Sequence, residues 1–136
     1  MKTLRFIVFA LLSVPMLLSC GKPEELNPEL VASVTGNYPF MYVLHEGQTY
    51  AIEQTNLSGS ASIEKKSENS VKLSWTYKGG TNTKSGSYTG VSLIDAGDGM
   101  IKLTYSGKTI GSVSDGVLHY VTEDADGKPL TFIGSR

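Results

Sequence analysis

The sequence predicts an all-β protein, folded as an antiparallel up-and-down β-barrel of 8–9 strands. Apolar and polar residues alternate with a period of two along many segments, as they do in strands that bury one face. Turn signals containing Gly, Asn or Asp separate these segments at intervals of about 8–12 residues, a spacing typical of sandwiches and barrels. The connections are short throughout, which favours a meander, and closing a meander into a barrel removes its exposed edges.

Nine segments carry this pattern, and they span residues 33–45, 49–57, 60–66, 70–78, 85–95, 100–106, 108–114, 117–123 and 129–134. In the first segment, one face carries Tyr38, Phe40, Tyr42 and Leu44. Pro39 lies on the opposite face and predicts a strand start or a bulge, because proline cannot donate to a ladder. The fourth segment alternates most regularly, with Val71, Leu73, Trp75 and Tyr77 on one face.

The predicted hairpin turns contain residues that tolerate the positive φ of a tight turn. They are Glu46-Gly47, Ser58-Gly59, Ser67-Glu68-Asn69, Lys78-Gly79-Gly80, Ala96-Gly97-Asp98-Gly99, Ser106-Gly107, Asp115-Gly116 and Asp126-Gly127. From Val31 onward, no apolar period of 3.6 residues is long enough to predict a helix. Just before that point, Asn27-Pro28-Glu29 predicts a short helical turn, with Asn27 as N-cap and Pro28 at the first helical position.

Composition and charge exclude several classes of protein. The chain has 136 residues, the size of one domain. Hydrophobic residues make up 40% and charged residues 18%, a balance that excludes a disordered chain. The net charge of −1 leaves no basic excess, so no nucleic acid is expected as a partner. Cys20 is the only cysteine, which excludes a disulfide within the chain.

Residues 1–19 predict a cleaved signal peptide. Lys2 and Arg5 precede an apolar run from Phe6 to Leu18, and such a basic start and apolar core are typical of secretion signals. The run has 13 residues, whereas a membrane-spanning helix needs about 20. The following Leu17-Leu18-Ser19-Cys20-Gly21 resembles the lipobox of bacterial lipoproteins. This resemblance implies that Cys20 carries acyl chains and anchors the mature protein in the outer membrane of a Gram-negative bacterium, at its periplasmic or cell-surface face.

Residues 20–30 then form a tether rich in proline and glutamate, and residues 31–136 form the barrel domain. Lys22-Pro23-Glu24-Glu25 is similar to the acidic tag that exports some lipoproteins to the cell surface. A plain solvated linker is the alternative interpretation of these residues.

The first strand opens with Gly36-Asn37-Tyr38, where lipocalins and other calycins carry Gly-x-Trp. The stretches from Ser112 to Tyr120 and from Gly127 to Gly134 resemble the last hairpins of small calycin-like lipoproteins of anaerobic Gram-negative bacteria. The resemblance implies a barrel with one open end that binds a small apolar or amphipathic ligand.

Aromatic residues of the predicted inner face are the candidate ligand contacts. An eight-stranded barrel is wide enough either to be filled by its own side chains or to hold one small ligand. Buried Tyr and Trp need partners for their O–H and N–H groups, so these groups are suited to orienting a ligand. The candidate ligand-binding residues are Tyr42, Trp75, Tyr77, Tyr105 and Tyr120. In the alternative interpretation they form only the core.

The sequence predicts no enzyme, no cofactor and no metal site. It contains no nucleophile elbow, no Cys–His pair and no phosphate loop. His45 and His119 lie in different segments without metal-ligand spacing. Asp124-Ala125-Asp126-Gly127 resembles the start of a calcium loop, but Ser135 stands where the closing Glu is needed, so a hairpin turn is predicted instead.

A protein-interaction module is the alternative function, acting through its loops as an inhibitor of a lysozyme or protease. Ser85-Gly86-Ser87-Tyr88 is similar to a Ser-Gly-x-x-Tyr segment of lysozyme inhibitors. A third interpretation is an accessory subunit of an envelope assembly, for which the outer wall of the barrel needs an exposed apolar patch.

Overall fold

The computed structural model describes residues 28–67 and 70–136. One helix, α1, spans Pro28–Val34, and a 3-10 turn spans Ile52–Gln54. The nine strands are β1 (Gly36–His45), β2 (Gln48–Ala51), β3 (Leu57–Ser67), β4 (Ser70–Gly79), β5 (Asn82–Gly97), β6 (Met100–Tyr105), β7 (Lys108–Ser114), β8 (Val117–Glu123) and β9 (Pro129–Ser135). The predicted cleavage site, Cys20 and most of the tether lie outside the described residues.

The predicted antiparallel barrel is confirmed. From β3 to β9 each strand pairs with the next, and β1 pairs with both β3 and β9, so eight strands close into a barrel. The first half of β1 pairs with β3, from Gly36 opposite Ile63 to Pro39 opposite Ser60. Its second half pairs with β9 on one side and with β2 on the other. The short β2 is thus the extra strand, hydrogen-bonded to β1 where β3 has already turned away.

Four of the predicted turns have a positive φ at both central residues, as type I′ hairpins require. They are Glu46-Gly47, Asp98-Gly99, Ser106-Gly107 and Asp115-Gly116. This turn type matches the right-handed twist of the paired strands, which is why two residues suffice to connect them.

The predicted alternation along β1 is wrong beyond Phe40. The register between β1 and β9 shifts between Phe40 and Tyr42, which marks a bulge. One extra residue in the strand moves the following side chains to the opposite face. Val43 is therefore buried, whereas Tyr42 lies on the outer wall with 43% of its surface exposed. The bulge coincides with the change of partner from β3 to β2.

A second correction concerns the predicted strand segments at residues 33–45 and 49–57. The helical turn expected at Pro28 continues to Val34, because Val31 and Val34 are spaced to bury the same helix face against the barrel. The 3-10 turn separates β2 from β3, so residues 52–56 are not a strand. Within the described residues, no helix is long and apolar enough to cross a membrane.

The helix closes one end of the barrel. The Tyr38 hydroxyl donates to the Val34 carbonyl at 2.5 Å, from a side chain that is fully buried. The guanidinium group of Arg136 donates to the carbonyls of Ser33 and Thr35, at and just after the end of α1. Carbonyls at this end of a helix have no partner within the helix itself. The start of β1 and the end of β9 thereby hold the helix over this closed end.

The barrel interior changes in composition from the closed end to the open end. Aliphatic side chains fill the half under α1, and they are Ile63, Val71, Leu73, Val91, Leu93, Ile101, Leu103, Val113 and Leu118. Apart from Tyr38, which packs under α1, the core aromatic side chains lie in the other half with Val43, Leu57 and Leu130, and they are Phe40, Trp75, Tyr77, Tyr88, Tyr120 and Phe132. Any site for a planar or aromatic ligand therefore lies towards the open end.

Candidate functional site at the open end

Seven aromatic rings form a continuous stack across the open half of the barrel. The consecutive ring centroids are Phe40–Phe132 at 4.5 Å, Phe132–Tyr77 at 4.9 Å, Tyr77–Trp75 at 5.6 Å, Trp75–Tyr120 at 5.7 Å, Tyr120–Tyr88 at 6.5 Å and Tyr88–Tyr105 at 5.1 Å. These separations are within the range in which aromatic rings attract one another, so the stack acts as a single packed unit.

Glycines in mid-strand make room for this stack. Four of its rings lie directly opposite a glycine on the neighbouring strand, and the pairs are Phe40–Gly134, Trp75–Gly86, Tyr77–Gly59 and Tyr120–Gly111. A Cβ atom at Gly86 would lie 2.8 Å from Cζ2 of the Trp75 ring. A narrow barrel fits large side chains only opposite small ones. Part of the chain's glycine content therefore serves packing rather than turns.

The stack contains four of the five predicted ligand contacts, and they are Trp75, Tyr77, Tyr105 and Tyr120. Trp75, Tyr77 and Tyr120 are consecutive in it, and Tyr120 is fully buried. Tyr105 is 37% exposed and packs its ring on Tyr88 at the end of the stack, so the prediction that it lies on the buried face is wrong. Tyr42, displaced by the β1 bulge, does not belong to the stack.

One cavity at the open end, the mouth recess, has a volume of about 470 Å³. Most of its wall is apolar, with side chains of Val43, Leu57, Tyr77 and Leu130. The polar groups at its rim come from His45, Lys84 and Asp124. Apolar walls with a few convergent polar groups are the usual composition of a small-molecule site.

Asp124 links the rim of the mouth recess to β1. Its Oδ2 atom lies 2.7 Å from Nε2 of His45, and its Oδ1 atom accepts the backbone N–H groups of Asp126 and Lys128 at 2.9 Å. The N–H of Lys128, and then His45, lower the pKa of the Asp124 carboxyl below its usual value. The predicted hairpin turn is confirmed here, with Asp124 as the acceptor that organises it. The Lys128 ammonium also pairs with the Glu46 carboxylate across the same rim.

A second cavity, the wall opening, has a volume of about 630 Å³ and is lined by Tyr88, Tyr105, Lys108, Ile110, Thr122 and Glu123. It exists because neighbouring strands differ in length. The first pair between β5 and β6 is Ser92 with Thr104, so residues 82–91 of β5 pair only with β4. The last pair between β7 and β8 is Gly111 with Tyr120, so residues 121–123 pair only with β9. The short β6–β7 hairpin leaves a gap between these two strand edges.

Two buried polar atoms of the stack lack hydrogen-bond partners among the described residues. They are Nε1 of Trp75 and the hydroxyl oxygen of Tyr120. The Tyr88 and Thr122 side chains lie near the Tyr120 hydroxyl, but neither completes a hydrogen bond with it. Burial raises the pKa of the Tyr120 phenol above its usual value, so this group stays a neutral donor. An unsatisfied buried donor costs about 1–3 kcal/mol, which makes such atoms rare in folded proteins.

Several residues of the site were not among the predicted contacts. Phe132 follows the alternation of its predicted segment, which is a signal that points to it. Tyr88 lies in a segment of Ser, Thr and Gly with little apolar alternation. His45 and Asp124 are 79 residues apart, and only the closure of β1 against β9 brings them together.

Other sequence features do not assemble a site. Within residues 28–67 and 70–136, no three His, Cys, Asp or Glu side chains are placed to hold a metal ion. Ser85-Gly86-Ser87-Tyr88, the segment similar to lysozyme inhibitors, lies inside β5 rather than in a loop. No protein-family model matches this chain, and no curated protein matches it as a relative.

Proposed function

We propose that this protein is a lipid-anchored envelope lipoprotein whose barrel binds a small apolar or amphipathic ligand at its open end. The observation that carries the proposal is the mouth recess, with its apolar wall and its polar rim. Its volume of about 470 Å³ is within the range of small-molecule pockets, about 300–1,000 Å³. The opposite end is closed by α1, so the ligand enters through the open end.

The chemistry of the recess suits a molecule with an apolar body and a polar head. Val43, Leu57 and Leu130 offer apolar contact, and the Tyr77 ring offers a stacking surface. Lys84 supplies a positive charge at the rim. Asp124 is already occupied by His45 and two backbone N–H groups, so it shapes the rim rather than binding the head group itself.

The lipobox resemblance supports the anchoring part of the proposal. Cys20 precedes the start of α1 at Pro28 by eight residues, which extend to about 27 Å at most. Since α1 lies at the closed end, an anchor at Cys20 holds that end nearer to the membrane. The mouth recess then faces the aqueous phase, and its ligand arrives from there or from a partner protein.

Filling the mouth recess is expected to abolish ligand binding without disturbing the stack. Ala125 lines the recess on the β8–β9 turn, so Ala125→Phe places a ring in it. The readout is the fluorescence of N-phenyl-1-naphthylamine, an apolar amine probe, titrated into residues 20–136 made with Cys20→Ala. We expect the affinity of the probe to fall at least tenfold.

The matched control is Ala96→Phe, at the end of β5 and beside the β5–β6 turn, at the closed end of the barrel. This variant adds the same ring to an exposed alanine but leaves the mouth recess unchanged. Equal affinities of the two variants, or no binding by the wild-type chain, contradict a ligand site in the recess.

A surface on the outer wall favours the alternative function, a protein-interaction module. Met41 and Tyr42 are 49% and 43% exposed, and they border a groove of about 480 Å³ with Ile52 and Leu57. The groove lies where β1 passes from β3 to β2. Exposed apolar side chains that adjoin a groove are typical of contact surfaces. If this is the function, Tyr42→Ser weakens the binding of a protein partner and leaves ligand binding in the mouth recess unchanged.

A further inference from the structure

We propose a second ligand subsite beneath Tyr88, in which Trp75 and Tyr120 bind a neutral oxygen acceptor such as a carbonyl group. The subsite is reached through the wall opening and not through the mouth recess. The proposed subsite rests on the proposed function only in that the barrel carries small ligands. It adds the chemistry of the ligand's polar group, which is a neutral oxygen acceptor.

The two unpartnered buried atoms are both hydrogen-bond donors. Nε1 of Trp75 can only donate, and the neutral Tyr120 hydroxyl has a proton to donate. Their rings stack at 5.7 Å, so the two side chains belong to one layer of the barrel. Buried polar groups in folded proteins are almost always paired, and a pair of neighbouring exceptions needs an explanation. A ligand oxygen between them, with two lone pairs, satisfies both.

The Tyr120 hydroxyl lies next to side chains that line the wall opening. Tyr88 and Thr122 lie near this hydroxyl, and both also line the wall opening. Tyr88 therefore separates the unpartnered hydroxyl from a cavity of about 630 Å³. Its strand has no neighbour on that side, because residues 82–91 of β5 pair only with β4. Rotation of the Tyr88 side chain into the cavity exposes the Tyr120 hydroxyl without breaking a strand pair.

The surroundings select a neutral and planar ligand. No charged or polar residue is buried among the described residues, so an ionised head group would lack a counter-charge there. The rings of Tyr88 and Tyr105, which line the wall opening, offer stacking contacts to a flat ring. A ring that bears a ketone, aldehyde or amide carbonyl combines these two properties.

The test compares two probes of nearly the same shape, acetophenone and α-methylstyrene, in which a C=CH2 group replaces the C=O group. Trp75 is the only tryptophan of the chain, so its indole N–H gives a single resonance in a ¹H–¹⁵N spectrum of residues 20–136 made with Cys20→Ala. We expect acetophenone to shift this resonance in the direction of a stronger hydrogen bond, whereas α-methylstyrene does not.

Tyr120→Phe removes one donor and keeps the ring. It is expected to weaken acetophenone binding about five- to tenfold, the value of one hydrogen bond, and to leave α-methylstyrene binding unchanged. Because the hydroxyl has no partner in the free protein, the variant is expected to melt at or above the wild-type temperature. Tyr42→Phe, which removes a hydroxyl from an exposed tyrosine on the outer wall, is the matched control and leaves acetophenone binding unchanged.

Three results overturn the subsite. They are equal binding of the two probes, an unmoved Trp75 indole resonance at saturating acetophenone, and a lower melting temperature of Tyr120→Phe, which would show that the hydroxyl already has a partner. Failure of the proposed function has a different signature, because Ala125→Phe blocks the mouth recess and does not touch the wall opening.

Discussion

Gly59→Ala is expected to destabilise the barrel by about 3 kcal/mol or more, the upper end of the cost of overpacking. A Cβ atom at residue 59 would lie 2.2 Å from the carbonyl oxygen of Thr76 and 2.8 Å from Cα of Tyr77. Both are backbone atoms of β4, so no side-chain rotation relieves the collision. The β3 and β4 strands must separate at the point where the Tyr77 ring enters the stack. Urea unfolding, followed by the fluorescence of Trp75, measures the loss.

Gly79→Ala is the matched control for this prediction, because Gly79 lies in the same pair of strands, opposite Leu57. The nearest atom to its added Cβ is Cδ2 of Leu57 at 3.1 Å, the end of a flexible side chain that can rotate away. We expect this variant to lose less than about 1 kcal/mol. If Gly59→Ala is as stable as Gly79→Ala, the close approach of β3 to β4 does not exist in solution.

Phe132→Ala is expected to cost about 3–5 kcal/mol of unfolding free energy, the usual loss for a buried phenylalanine. Phe132 is fully buried, and in the stack its ring packs between Phe40, at a centroid distance of 4.5 Å, and Tyr77, at 4.9 Å. Its removal leaves a cavity that the surrounding β-strands cannot close, because their hydrogen-bonded register fixes their separation. The same urea titration measures the loss.

Val121→Ala is the control for the phenylalanine variant. Val121 lies on the outer wall of β8 and is 41% exposed, so its truncation is expected to change stability by no more than about 0.5 kcal/mol. A cost of Phe132→Ala as small as that of Val121→Ala means that the stack is not the core of the open end.

The barrel itself was predictable because its signals are local. Alternation with a period of two identifies the inner face of β4 from Val71 to Tyr77, and the burial of Val71 and Leu73 agrees with it. Type I′ turns such as Asp115-Gly116 identify the hairpins, since few residue types accept a positive φ. Both signals depend on neighbours in sequence, and in a meander these are also neighbours in space.

The features that the sequence did not predict depend on residues that are distant in the sequence. Tyr42 faces outward because β1 changes its partner from β3 to β2 beside a bulge. Pro39 indicates a bulge nearby, but nothing in the local sequence places it between Phe40 and Tyr42 or marks the change of partner. The glycine opposite each stacked ring is visible only once the register is known, as for Trp75 and Gly86. The mouth recess likewise depends on closure, which brings His45 to Asp124.

Native mass spectrometry of the full-length protein, solubilised in mild detergent from the envelope of its own host, tests the central claim most directly. We expect a polypeptide that begins at Cys20 and carries covalent acyl chains, together with a reproducible extra mass that leaves on mild denaturation. A chain that retains residues 1–19 or an unmodified Cys20, with no additional mass, would contradict a lipid-anchored barrel that carries a small ligand.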